Sequence, residues 1–129
     1  MVAKPIQTIC LIDDDDVVRD AMRSLLEARE YGVVEFVSAD DFLGQWDGKS
    51  GRCLILDIHM PGMSGLDLLK VLRDRGDWVP TILVTGQRDM VEADLPVKLG
   101  AVALLDKPVP PPVLFAAIRA ALAKPEVMR

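Results

Sequence analysis

The stretch Thr8-Ile9-Cys10-Leu11-Ile12-Asp13-Asp14-Asp15-Asp16 runs from a short apolar segment straight into four consecutive aspartates. An apolar run this short, and this rich in Ile and Leu, suits a strand buried on both faces of a parallel sheet. Val33–Val37, Cys53–Leu56, Thr81–Val84 and Val102–Leu105 have the same character. Between them lie stretches with helical periodicity. Val18, Met22, Leu25 and Leu26 fall on one helical stripe. Ser38 with Asp41, and Ser64 with Asp67, have the spacing of a helix start, and Asp89 with Glu92 is a weaker relative. Gly76 and Gly100 are suited to end helices.

The order is therefore (βα)5, an α/β chain of five strands and five helices. Parallel strands joined by right-handed crossovers give a doubly wound three-layer sandwich. Such sheets carry their functional groups just beyond the carboxyl ends of the strands. Those ends hold Asp13–Asp16, Asp57, Thr85-Gly86 and Asp106-Lys107-Pro108, whereas the second strand ends in Ser38-Ala39.

Composition narrows the class. The 129 residues suit one domain, with 124–129 as a tail or the start of a linker. Half the residues are apolar and 27% are charged, a globular balance. A net charge of −5 argues against binding the phosphate backbone of nucleic acid. No apolar run approaches the ~18 residues of a membrane span, and residues 1–5 have no signal-peptide core. Two cysteines make no disulfide framework, so a reducing cytoplasm is the expected setting.

Three carboxylates in one crevice, Asp13, Asp14 and Asp57, repel one another unless a cation joins them. A hard divalent ion such as Mg²⁺ suits oxygen ligands of this kind, and Mn²⁺ is a substitute. Lys107 supplies a point charge for phosphate and Thr85 a hydroxyl donor. A carboxylate nucleophile, a metal site and two donors are the parts that phosphoryl transfer needs. Each group alone reads as an ordinary turn or cap, and Asp15 and Asp16 are expected to be that, at the first turn of the first helix. Their coincidence at the strand ends carries the functional reading.

Leu11-Ile12-Asp13-Asp14-Asp15, Leu56-Asp57-Ile58-His59-Met60-Pro61-Gly62-Met63-Ser64-Gly65, Val84-Thr85-Gly86 and Leu105-Asp106-Lys107-Pro108 follow in order across residues 7 to 123. Together they resemble the receiver domain of bacterial two-component response regulators, the CheY-like group with a flavodoxin-like fold and strand order 2-1-3-4-5. The resemblance implies that Asp57 accepts a phosphoryl group from a sensor histidine kinase or histidine phosphotransfer protein. It implies Mg²⁺ on Asp14, Asp57 and the backbone carbonyl of His59, with Asp13 acting through water. Thr85, Gly86 and Lys107 would form the phosphoryl-binding and switch positions, and the Lys107–Pro108 bond is expected to be cis. His59 and Gln87 would tune the lifetime of the phosphoryl group. Cys10 and Cys53, on adjacent strands, are expected to be inert core thiols.

Two features depart from the family pattern, and the fifth helix is read beside them. Leu104 stands where an aromatic switch residue is usual. Pro96 interrupts the segment of the fourth helix, which should be short, kinked or begin late near Leu95; this points to an unusual output mode. The fifth helix follows Pro110-Pro111-Pro112, read as a polyproline-like lead-in. Its only charge from Val113 to Ala123 is Arg119, which leaves a face for a homodimer through the fourth helix, fifth strand and fifth helix, or merely a good helix former. The resemblance makes the chain a signalling domain acting only on its own phosphorylation. Two alternatives remain at this level. One is a haloacid dehalogenase-type phosphatase, through Asp13-x-Asp15-x-Val17, although only Glu126 follows Lys107 as a further acid. The other is a receiver-like interaction module without phosphorylation.

Overall fold

Strands and helices alternate along the chain: β1 (Thr8–Ile12), α1 (Asp16–Ala28), β2 (Gly32–Phe36), α2 (Ala39–Gln45), β3 (Cys53–Asp57), α3 (Gly65–Asp74), β4 (Thr81–Thr85), α4 (Leu95–Lys98), β5 (Ala103–Asp106) and α5 (Pro111–Ala123). This computed structural model describes residues 6–87, 91–92 and 94–123. The expected start at Asp89 and the tail 124–129 lie outside them.

All strand pairs are parallel, in the order β2-β1-β3-β4-β5. Alternation along each strand divides the core into two layers. Ile9, Leu11, Cys53, Ile55, Ile82 and Val84 face α1 and α5, where they meet Leu26, Leu114, Phe115 and Ile118. Cys10, Ile12, Leu54, Leu56 and Leu83 face α2 and α3, where they meet Phe42, Leu68, Leu69 and Leu72. Each such Leu or Ile removed from water contributes roughly 1.5–3 kcal/mol. Cys10 and Cys53 are both buried and lie on adjacent strands, yet they belong to opposite layers.

The helix boundaries follow local chemistry. Ser38 and Ser64 cap α2 and α3 by accepting hydrogen bonds from the Asp41 and Asp67 amides, and Asp15 caps α1 through the amides of Val17 and Val18. Gly76 and Gly100 end their helices with φ of +80° and +70°. α4 begins at Leu95, with Pro96 in its first turn, where no amide is missed. The proline lead-in to α5 needs correction: Pro111 and Pro112 are the first helical residues. Their fixed φ suits a helix start, and the first-turn amides have no intrahelical acceptor to lose. Four strands, β2 to β5, differ from the sequence expectation by one residue at one or both ends.

Candidate functional site

The carboxyl ends of β1, β3, β4 and β5 meet at one edge of the sheet. Asp13 follows β1, Asp57 is the last residue of β3, Thr85 the last of β4, and Lys107 follows β5. Carboxylate oxygens of Asp13, Asp14 and Asp57 all lie within 4.8 Å of one another. The Lys107 ammonium donates to Asp13 Oδ2 at 3.0 Å and lies 3.2 Å from Asp57 Oδ1. Asp13 and Asp57 are buried, while Asp14 is exposed.

Backbone bonds fix these tips. The Asp13 amide donates to Phe36 O at 3.2 Å, Ile58 N to Val84 O at 2.9 Å, and Lys107 N to Thr85 O at 2.8 Å. The Lys107–Pro108 bond is cis. Asp13 Oδ1 accepts from the Asp15 amide at 2.9 Å. The capping role of Asp15 commits its carboxylate to the helix start, which counts against the D-x-D reading of a phosphatase loop.

Burial is the main cause that pushes the Asp57 carboxyl above its ordinary value, and the Asp13 charge adds to it; Lys107 opposes both without cancelling them. Burial pulls Lys107 down, but its bonds and charge attraction to Asp13 and Asp57 win, and its ammonium is held above the usual lysine range. Two buried acids against one ammonium leave negative charge in excess. A hard divalent cation therefore fits this donor set of oxygens.

The other expected residues fall around this cluster. Thr85 is buried, and its hydroxyl oxygen accepts from the Gln87 amide at 2.9 Å; a hydroxyl that accepts one bond can also donate its own proton. Gly86 and Gln87 are exposed on the following turn. His59 lies two residues beyond Asp57, with Nε2 buried and no hydrogen-bond partner among the described residues. Leu104 is partly buried against the α2–α3 layer.

Two residues bordering the site had no assigned role at the sequence level. Gly65 opens α3, with its amide bonded to Ile58 O at 2.8 Å, so close that a methyl group there would overlap the main-chain oxygen of Asp57. The only signal for it was its place at the end of the Met60–Gly65 motif. Arg19 reaches back from α1 to the main-chain oxygen of Asp13. Its signal was a lone cation directly after an acidic turn.

Parallel strands sandwiched by helices, with three carboxylates and a lysine gathered at the strand tips, make this a doubly wound α/β domain with an acidic pocket at its sheet edge. The family model described as the response regulator receiver domain matches residues 9–119. The chain belongs to that family, whose members serve two-component signal transduction. The transcriptional regulatory protein FixJ of Azorhizobium caulinodans is 40% identical over 114 residues, 88% of this chain and 54% of FixJ. The response regulator protein TodT of Pseudomonas putida is 40% identical over 88% of this chain and 50% of TodT. Thus the chain spans about half the length of the curated relatives it matches. Among solved structures, the response regulator StyR superposes with a TM-score of 0.86 at 34% identity, over 92% of this chain and 60% of that one. FixJ-N superposes at 0.83 with 31% identity, over 97% of this chain and all (100%) of that one. Among the described residues, no helix is long and apolar enough to cross a membrane.

Proposed function

We propose that Asp57 is the phosphoacceptor of this receiver domain. One carboxylate oxygen of Asp57 attacks the phosphorus of an N-phosphohistidine presented by a sensor histidine kinase or a histidine phosphotransfer protein. The P–N bond breaks, an acyl phosphate forms, and the ring, already protonated on its other nitrogen in the phosphohistidine, keeps the bonding pair and leaves as neutral imidazole. The observation that supports this most directly is the meeting of Asp13, Asp14, Asp57 and Lys107 at one strand-end pocket.

Asp14, Asp57 and the His59 carbonyl would hold Mg²⁺, with Asp13 acting through water; Mn²⁺ suits the same oxygens. When bound, the ion neutralises charge on the phosphoryl oxygens. Lys107 holds one of those oxygens and Asp13 keeps the ammonium in place. The Thr85 hydroxyl, its lone pair engaged by the Gln87 amide, donates to another, with Gly86 giving the turn room to move. His59 and Gln87 flank the approach of hydrolytic water and set how long the acyl phosphate lasts. The chain acts on no other substrate, and its single receiver unit spans about residues 7–123.

The added charge favours an alternative packing of α4, β5 and α5, and a partner or a second copy reads that change. With Leu104 already packed on the α2–α3 layer and α4 reduced to four residues, this switch works without the usual aromatic swing. A reducing cytoplasm belongs to the same reading.

Acetyl phosphate with Mg²⁺, followed by Phos-tag electrophoresis, tests the proposal. Wild type should shift and Asp57→Asn should not. An unshifted wild type favours the unphosphorylated interaction module, and an equally shifted Asp57→Asn moves the acceptor elsewhere. Steady release of phosphate from small esters would bring back the phosphatase. If His59→Ala with Gln87→Ala leaves the dephosphorylation rate unchanged, their assigned role is wrong.

A further inference from the structure

Arg19 lies on α1 directly after the acidic turn, with a side chain only 11% exposed. All three of its guanidinium nitrogens are used. Nη1 donates to the main-chain oxygen of Asp13 at 2.6 Å. Nε donates to Glu35 at 3.3 Å and Nη2 to Asp16 at 2.5 Å. Asp13 is thereby held at every polar atom, since its amide is bonded to Phe36 and its carboxylate to the Asp15 amide and Lys107.

The oxygen that Arg19 grips belongs to the peptide group joining Asp13 to Asp14. A peptide group is planar, so fixing that oxygen fixes the direction in which the Asp14 main chain departs. Asp14 is the exposed member of the acidic cluster and takes its aim from that backbone. We propose that Arg19 is a positioning residue that holds the Asp13–Asp14 peptide so that the Asp14 carboxylate stays turned toward the divalent-cation site. This rests on the cation reading given under the proposed function.

Charge and position predict opposite signs here. By Coulomb's law alone, a cation near a metal site repels the metal, so removing Arg19 would tighten metal binding. If Arg19 aims a ligand, removing it weakens binding, by about 10–100-fold as for other outer partners of metal ligands. Arg23 provides the control. It sits one turn further along the same helix and shares Glu35 at 2.6 Å, but its other ion pairs are with Asp20 and Glu27 and not with the site.

Mn²⁺ titrations of the full chain, read by electron paramagnetic resonance of the free ion, compare wild type with Arg19→Met, Arg19→Lys and Arg23→Met. Far-UV circular dichroism confirms that each variant is folded. Arg19→Met should weaken Mn²⁺ binding by roughly tenfold or more. Arg19→Lys should also weaken it, because one ammonium cannot serve three acceptors in a fixed fork. Arg23→Met should bind as wild type does. Equal or tighter binding by the folded Arg19 variants overturns the inference, as does an equal loss in Arg23→Met. If Arg19→Met does not fold, Arg19→Lys carries the test. A wild type that binds no Mn²⁺ overturns the cation reading and this inference with it, a result distinct from an unaffected Arg19 variant.

Discussion

Asp57 is kept in a setting that opposes its own ionisation, since burial and the Asp13 charge both raise its pKa. In the folded chain without a divalent cation, the ionised carboxylate is therefore a strain on stability. The strain is fully present above the folded pKa. It fades as pH falls through that value toward the unfolded one of about 3.9. Asp57→Asn should accordingly melt higher than wild type at neutral pH in a chelator. The gap should close as the pH is lowered into the carboxylate range. Thermal melts across pH check this, and an Asp57→Asn variant less stable at neutral pH would contradict it. The cysteines act in the alkaline range. Burial pushes Cys10 up to about 11 and Cys53 up to about 12, against about 8.5 for a free thiol. Native protein should resist a thiol reagent at pH 8 and react at both sites in urea. From about pH 8.5 upward the unfolded thiols ionise before the folded ones, so stability should fall as pH rises through that interval.

Among the elements, α3 makes close contacts at both ends, with the tip of β3 at its start and with α4 at its finish. α3 starts against the Asp57 main chain, and only a glycine allows that approach. Gly65→Ala should force the helix start and β3 apart, costing about 1–3 kcal/mol by overpacking; urea unfolding measures it, and a loss below about 0.5 kcal/mol would refute the account. At its other end, Arg73 is buried and donates to the carbonyls of Leu99 at 2.7 Å, Asp77 at 3.1 Å and Val79 at 3.0 Å. Its guanidinium also lies 4.9 Å from the Trp78 ring centre. Burial pulls its pKa down to about 10, so at neutral pH it remains a cation. Arg73 ties the carboxyl end of α4 to the α3–β4 corner. Arg73→Ala strands these acceptors and should cost about 2–4 kcal/mol. Arg73→Lys should recover little, because the three bonds need a planar fork.

For the whole molecule, a ligand that binds only the folded pocket must stabilise the fold by mass action. Mg²⁺ at a hundred times its dissociation constant should add about 2.7 kcal/mol, seen as a rise in Tm that Asp14→Asn largely removes. A Tm indifferent to Mg²⁺ would count against the cation site. The alternation of strands and helices, the caps at Ser38 and Ser64 and the stops at Gly76 and Gly100 were legible in the sequence, because each depends on a few neighbouring residues, whereas Pro96 left a short, a kinked and a late-starting α4 open. So was the acidic and lysine set, since in a parallel sheet strand ends collect at one edge whatever the side chains are. The start of α5 was misread, because a proline run is equally compatible with an extended segment and with a first helical turn. What the chain composition cannot encode locally is contact between distant residues. The placement of Lys107 between Asp13 and Asp57, the grip of Arg19 on the Asp13 carbonyl and the anchoring of α4 by Arg73 each join groups from different elements. They exist only once the packing of the layers has chosen which side chains meet.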